Sequence, residues 1–544
     1  MKLTAYLMAA AAIAAGGALT ASAQSAIDAY NMNTSQLRGT ARFIAMGGAF
    51  TSLGGDISCM TQNPAGLGLY RRSEIGGTFD VSIRSYAATT PTQKNTTHQT
   101  KAFFDNLGYV GTANLGGTLR TFTWGVSYNR LAEHDRRFSG YNNPTSGSLS
   151  NYIASFTNGV NSGDMLFNDA TKYNPYLDSD IDWLSILAYN SYMISNIDSN
   201  NDGDKDRLYA GLYQNGTVGD ALYTVHERGY TDEYNIDFAG NISDILYWGI
   251  GVGIVDMNYR SAVEYSESMS GALIYGGTGN KLTTGNAGFG ILNQKQITGT
   301  GANLKFGLIV RPVDMLRIGF AIHTPSWMSM SSTGYADTQF NYTPDGTTNT
   351  LSNSEYTETY DYNWKMNTPW RFMVGVSAVF GTRAILSLDY ERVAYNDTKV
   401  KYQNYSSWGD SYVSDDKVNT DTKEYFQASN IVRVGLEYRI TPRFSARAGF
   451  NYQTSNVRDA AADGYSVIST AGTDPSYTFN KATENICLGL GYRYKGWYID
   501  LTYQHVRHSS TFHAYTPYDQ VTDTPSANVV SSLNNIVIST GIRF

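Results

Sequence analysis

The chain has 544 residues, a net charge of -7 and only two cysteines. An acidic balance disfavours a nucleic-acid partner, and two cysteines exclude the disulfide framework of small secreted domains. Its 53 Gly and 42 Tyr, against 16% charged residues and little helical periodicity, point to many strands and turns.

The first element is an export signal. Lys2, an apolar run from Leu3 to Leu19 and Ala21-Ser22-Ala23 make the basic, apolar and small-residue regions of a secretory signal peptide, so residues 1–23 are expected to be removed. No cysteine stands at the junction, which argues against lipoprotein processing. Nothing later offers the roughly 18 consecutive apolar residues of a membrane helix. Cys59 and Cys487 could pair with each other.

A Gly-rich segment follows, ending in "TQNPAGLGLY", Thr61 to Tyr70. The first clear strand is Ile75 to Tyr86. Ile75, Phe79, Val81 and Ile83 face one way and Thr78, Asp80, Ser82 and Arg84 the other, as a period of two requires. Fourteen such strands are expected, beginning near residues 75, 103, 119, 229, 245, 298, 315, 366, 384, 428, 443, 484, 497 and 533.

The link over residues 132–228 is long enough to be functional. In it, Asp178 to Ile197 reads as a short amphipathic helix with Trp183, Leu187 and Ile194 near helical spacing. Next, Asp198, Asn200, Asp202 and Asp206 match positions one, three, five and nine of a calcium loop, although Tyr209 stands where a bidentate Glu belongs. A structural calcium ion or a plain hydrophilic turn both fit. The strand from Ile245 places Leu246, Trp248, Ile250, Val252 and Ile254 outward and Gly249, Gly251 and Gly253 inward, leaving room for something inside.

The links decide the architecture. Tight turns at 115–118, 241–244, 311–314, 380–383, 440–443 and 495–496 alternate with long connections at 87–102, 132–228, 261–297, 325–365, 396–427, 454–483 and 509–532. Short links at one end and long ones at the other are the pattern of an even-stranded outer-membrane barrel. The fold class is therefore all-β, a fourteen-stranded antiparallel transmembrane β-barrel. Tyr390, Tyr438, Tyr492, Tyr494 and Trp497 suit its aromatic girdles. Ile536, Ile538, Thr540, Ile542 and Phe544 share a face of the last strand. This ending resembles the signal read by the barrel assembly machinery.

The segment "GTARFIAMGGAFTSLGGDISCMTQNPAGLGLYRRSE" resembles the start of the FadL/TodX family of outer-membrane transporters for hydrophobic compounds. It contains Gly47-Gly48-Ala49, Asp56 to Ser58, and Asn63-Pro64-Ala65 followed by Gly66. Strand pairs such as "NLKFGLIVRPVDMLRIGFAIHTP" also resemble the family, so the likeness spans almost the whole mature chain. It implies an N-terminal hatch over residues 24–72 that plugs the lumen of a barrel spanning 73–544. It further implies passive transport of long-chain fatty acids or other hydrophobic molecules by a monomer in the bacterial outer membrane. The ligand would be captured by an apolar groove in the extracellular loops, for which Trp183, Leu187 and Ile194 are candidates. It would then bind inside and leave sideways into lipid through a gap in the wall where an early strand kinks inward beside Asn63 and Pro64.

Strand parity turns Arg84, Lys305, Arg317, Arg371, Asp389, Arg433, Glu437, Arg447 and Arg493 into the lumen, to meet a ligand carboxylate or to hold the plug by ion pairs. Arg433 and Glu437, four apart on one face, suit such a network. The alternative for Asn63 and Pro64 is a plain turn between plug and barrel. His505, His508 and His513 around the last loop raise a haem-uptake alternative, and the long insert suits a barrel that attaches partner proteins during secretion. No G-x-S-x-G, H-E-x-x-H or phosphate loop occurs, so no enzyme is expected and no cofactor is required.

Overall fold

The structure is a computed structural model describing residues 24–197, 207–275, 282–404, 411–462, 464, 466–518 and 523–544. The expected signal peptide and the calcium loop at Asp198, Asn200, Asp202 and Asp206 lie outside these residues.

Fourteen antiparallel strands form one closed sheet. They are β1 (Glu74–Thr89), β2 (Lys94–Asn114), β3 (Leu119–Glu133, continued by Arg136–Asn142), β4 (Val218–Ile242) and β5 (Leu246–Tyr275). Next come β6 (Leu282–Val313), β7 (Leu316–His323 and Trp327–Pro344), β8 (Tyr360–Asn367 and Arg371–Phe380) and β9 (Ala384–Ala394 and Lys399–Asn404). The last five are β10 (Ala428–Arg439), β11 (Phe444–Gln453), β12 (Tyr477–Tyr494), β13 (Trp497–His513) and β14 (Ser526–Arg543). Each pairs with its sequence neighbours, and β14 closes on β1 with Ile542 opposite Ile75 and Ile538 opposite Phe79. Closure of β14 on β1 leaves no free edge between the last strand and the first.

Outward positions form an apolar belt in which Ile83, Phe238, Ile250, Val252 and Leu388 are exposed. Among the described residues no helix is long and apolar enough to cross a membrane. The tight links are hairpin turns. Ser243 and Asp244 both take positive φ, 53° and 62°, the primed geometry whose twist matches the strands it joins. Several expected long loops are instead strand. β5 and β6 pair from Leu246–Val310 up to Tyr275–Leu282, so most of 261–297 is ladder. Above the belt, outward positions such as Glu264, Ser268 and Ser270 are polar and exposed, so the apolar alternation that reveals a strand fades.

The N-terminal segment lies inside the barrel. Helices α1 (Ala26–Met32) and α2 (Ala41–Ala45) are followed by 3-10 turns at Ile57–Thr61 and Pro64–Leu69, nearly all of it buried. Its close approach is made possible by a ring of inward glycines at one level of the wall. A Cβ on Gly249, Gly307 or Gly319 would overlap Pro64, Asn63 or Thr51, and one on Gly435 would lie 2.5 Å from the Met46 carbonyl. Inward hydroxyls complete the ring on β13 and β14, where Thr502 Oγ1 donates to the Ala41 carbonyl at 2.6 Å and the Ala41 amide donates to Ser539 Oγ at 2.6 Å. Gly249 thus makes the room expected of it. Gly251 and Gly253 face wall carboxylates on Asp237 and Glu233 instead.

The insert between β3 and β4 folds back over the long-loop end of the barrel. Its helices α3 (Leu149–Thr157), α4 (Pro175–Asp178) and α5 (Trp183–Asn190) pack with inward residues of the tall strands, including Tyr223, Tyr265, Phe289, Phe340 and Phe512, into one apolar core. Asp182 caps α5, its carboxylate accepting from the Leu184 amide at 2.8 Å. Burial pushes the Asp182 carboxyl up to about 6, against the pull of those backbone donors. A second core joins α1 to helix α6 (Asp416–Tyr425), with Tyr30 stacked on Phe426 at 4.5 Å.

Candidate functional site

The wall holds the N-terminal segment by charge. Arg42 of α2 donates to Glu437 at 2.8 Å, Glu437 also accepts from Arg447 at 2.7 Å, and Arg447 reaches Asp500 at 2.5 Å. Lys305 donates to Glu233 at 2.5 Å and to the Met60 carbonyl at 3.2 Å. Arg317 donates to the Leu53 carbonyl at 2.8 Å, and Arg38 pairs with Asp105. Lys305, Arg317 and Glu437 therefore tie plug to wall, and Arg447 holds Glu437 from the wall side. Arg433 and Glu437 both enter ion pairs, but with different partners and not with each other. Four residues along a strand span about 13 Å, and Arg433 pairs instead with Glu391 on β9, which also accepts from Arg371 at 2.6 Å.

Gly47 and Gly48 both take positive φ, 63° and 75°, in the bend that follows α2. Asn63 starts the turn at Pro64–Leu69: its Oδ1 accepts from the Ala65 amide at 3.0 Å and its Nδ2 donates to the Thr51 carbonyl at 2.6 Å. Gly66 packs against Cys59. The wall beside Asn63 is unbroken, since Gly307 faces Gly249 on one side and Ala321 on the other. Asn63 and Pro64 thus build a corner docked on β5 to β7, and the sideways gap expected at them is not there. Cys59 and Cys487 are both free and buried in one cluster, and burial pushes the Cys59 thiol up.

The break in the wall lies between β2 and β3. Their ladder runs from Asn114–Thr121 to Asn106–Asn129 and stops, although β2 continues to Lys94 and β3 to Asn142. Beyond it β3 stays on β4 and swings lumenward. The inward side chains Arg84 and Tyr86 of β1 donate to the Asp135 carbonyl at 3.2 and 2.5 Å. Among the described residues, side-chain contacts such as the Lys101–Asp135 ion pair cross the seam where the ladder has ended. It starts beside Phe104, Tyr128 and Tyr234 on the outer surface, and Ile57 packs under Gly108, just below it. The run Arg130 to Arg137, with six ionisable residues interrupting a strand, was the sequence signal for this departure.

Between plug and cap lies a cavity of about 270 Å³. Its floor includes Leu37, Arg38 and Gln62, and β3 walls it with Asn129 to Asp135 on the seam side. Of the lumen candidates, Arg84, Arg371 and Arg433 line it. Trp183, Leu187 and Ile194 do not form an open groove: they are 6%, 0% and 1% exposed, inside the cap core. The reason is α5 itself, apolar on every side, which drives full burial rather than one exposed stripe. Trp183→Ala should cost about 3–5 kcal/mol locally and appear as faster proteolysis within residues 143–217. Unchanged cleavage would mean that the cap is not held by this core.

The histidines do not converge. His508 bonds Thr483 and Asn480, His505 bonds Asn534, and His513 stacks on Tyr477 at 4.8 Å. Among the described residues no group of three His, Cys, Asp or Glu is placed to hold a metal ion.

No family model matches the chain, and no curated protein sequence does. Among solved structures, a Pseudomonas aeruginosa FadL homologue matches over 94% of this chain and 100% of that one, with 12% identity and a TM-score of 0.50. The chain has the FadL-type fold. The P. putida toluene transporter TodX matches at 14% identity over 94% and 99% of the two chains with a TM-score of 0.46. The Ralstonia pickettii toluene transporter TbuX matches at 16% identity over 95% and 100%, with a TM-score of 0.41. At such identities the likeness is one of fold. The FadL-type barrel here encloses a plug, a polar cavity and a packed cap, stacked along one axis.

Proposed function

We propose that this chain is a passive transporter of the bacterial outer membrane for small hydrophobic or amphiphilic molecules, long-chain fatty acids among them. The ligand enters at the long-loop end, rests in the cavity above the plug and leaves sideways through the seam between β2 and β3 into the bilayer. The observation that carries this reading is the cavity's position: Arg130, Leu131 and Glu133 to Asp135, which wall it on one side, lie in the stretch along which β3 parts from β2. Lateral release suits an apolar tail, which gains nothing from an aqueous path and is stabilised by lipid. The apolar belt and the closure of β14 on β1 support the membrane setting.

Lys101 and Asp135 meet across the seam, so cysteines at both positions give a way to bridge it. After treatment with a short thiol-specific cross-linker, cells expressing the doubly substituted protein should take up labelled long-chain fatty acid at roughly a tenth of the untreated rate or less. Uptake that persists after complete cross-linking would remove lateral exit from the mechanism. A second reading, attachment of a partner protein, is favoured by Leu166, Phe167, Leu177 and Tyr356, which stand 45–76% exposed on or beside the insert.

A further inference from the structure

The outer face of the barrel carries a polar groove above the apolar belt. It is about 290 Å³ in volume and runs across β4 to β8. One ladder row forms its bed: Tyr230 stands opposite Asn258, Asn258 opposite Thr298, Thr298 opposite Ser331, and Ser331 opposite Asn363. Tyr412, on the short strand Ser411–Ser414 paired with upper β9, closes the β8 end. Four residues below Asn258 on β5 is Ile254, exposed in the belt and in one row with the exposed Trp327. The bed therefore lies about 13 Å along the strand from side chains that face acyl chains.

Two pairs of like charge flank this groove. Arg228 and Arg260 stand directly opposite each other above its β4–β5 end, and Lys365 and Lys401 do the same below its β8 end. All four are exposed, and Lys365 lies 4.2 Å from the centre of the Tyr412 ring. Like charges placed directly opposite on one face of a sheet are destabilising. The carboxylates around them have other partners: Asp256 accepts from Tyr230 at 3.4 Å, Asp361 from Ser331 at 3.2 Å, Asp397 from Asn396 at 3.4 Å and Asp416 from Ser414 at 2.9 Å. Among the described residues none of these carboxylates forms an ion pair with the four cations; wall charges that do pair, such as Lys295 with Asp28 and Arg136 with Glu227, point inward. Asp256, the carboxylate within the groove, stands three strands from Lys365 and four residues from Arg260, roughly 13–14 Å from either.

A row of hydroxyls and amides open to the outside suits a sugar, whose hydroxyls exchange hydrogen bonds with both. Unpaired cations at its corners suit phosphate, which accepts charge-assisted bonds from Arg and Lys. The apolar belt beneath suits acyl chains. One kind of molecule joins these three parts, an acylated sugar phosphate in the leaflet at the long-loop end. Taking the outer-membrane setting of the reading above, but neither its cavity nor its exit, we infer that the groove holds the headgroup of such a phosphorylated glycolipid. The sugar lies along the row from Asn258 to Asn363, its phosphate groups meet the two cation pairs, and its acyl chains descend over Ile254 and Trp327.

The test uses the full chain in phosphatidylcholine nanodiscs, each batch doped with one probe lipid, and reads by native mass spectrometry the fraction of protein that keeps the probe bound. The probes are an acylated glucosamine disaccharide bearing two phosphates, the same glycolipid with both phosphates removed, and phosphatidylglycerol. The phosphorylated glycolipid should be retained about tenfold or more over the other two, of which one lacks the phosphates and the other the sugar. K365Q/K401Q and R228Q/R260Q should each lower its retention about tenfold. R120Q/R383Q, at exposed arginines of the short-turn end, should leave it unchanged. Each variant is first required to keep the thermal transition of the parent. Equal retention of either other probe, retention indifferent to both groove variants, or an equal loss in R120Q/R383Q would each overturn the inference. Retention of no probe would do so while leaving fatty-acid transport, which the seam cross-link reads separately, standing. Retention of the phosphorylated glycolipid in a protein whose cross-linked seam still passes fatty acid would instead uphold the inference and remove lateral exit.

Discussion

Excising residues 24–70 should turn this barrel into an ion-conducting pore, with conductance in planar bilayers roughly tenfold or more above that of the intact chain. The barrel does not need the segment to close, because β14 pairs with β1 along its whole length. What the segment supplies is the floor: it meets the wall at the ring of inward glycines and at hydroxyls on the closing strands. Its excision also removes α1, which packs against the inner faces of β5 to β9 and stacks on Phe426 under α6. On that side the mouth would keep only α6 and its neighbours, without the α1 they pack against. A truncated barrel that folds, inserts and still conducts no more than the parent would show that residues 24–70 are not what obstructs the lumen.

Glu437→Ala should loosen the plug without opening the barrel. Glu437 is the shared acceptor of Arg42 on the plug and Arg447 on the wall, and all three side chains are nearly inaccessible. Arg447 keeps Asp500, but Arg42 is left with no carboxylate in a low-dielectric lumen. Removing one member of a buried charge network costs about 3–5 kcal/mol, much of it the penalty of the charge left behind. The measurement is the maleimide labelling rate of Cys59, which is fully buried in the plug. If labelling requires the plug to lift from the wall, the same free energy appears as a roughly hundredfold or greater rate increase. Glu437→Gln, which keeps an acceptor for Arg42, should lie between parent and Glu437→Ala. Equal labelling in all three would mean that the network does not hold the plug.

The wall was readable because its constraint is local. A strand alternates its side chains whatever its neighbours do, so Ile75, Phe79 and Ile83 declared the outer face of β1 before any partner was known. Alternation of short and long links then decided barrel over sandwich, and the inward glycine at Gly249 announced a filled lumen. The readable region ended with the apolar belt. Glu264 and Ser266 lie outward on a strand that no longer faces lipid, so the ladder above the belt passed for loop.

The sites were less legible, and for definable reasons. Arg433 and Glu437 share a strand face, but partners in a sheet are set by register between strands: Arg433 finds Glu391, two residues along from its Asp389 partner, and Glu437 finds Arg447 directly opposite. Asn63 and Pro64 were recognisable as a turn, yet which strands the turn docks on depends on how the plug winds inside the lumen. Trp183, Leu187 and Ile194 were correctly apolar. Only the folded cap shows that they meet the inner faces of β5 to β7 rather than a ligand.

By itself, then, the sequence determined the strands, their number, the inward and outward faces and the end of the barrel that carries the long segments, since each follows from period two and link length. The tertiary structure alone decided where the wall parts, which charges pair and what the cavity is lined with. Those depend on contacts between residues such as Ser82 and Asn535, or Arg42 and Glu437, far apart in the chain and joined only when the sheet closes around its own N-terminus.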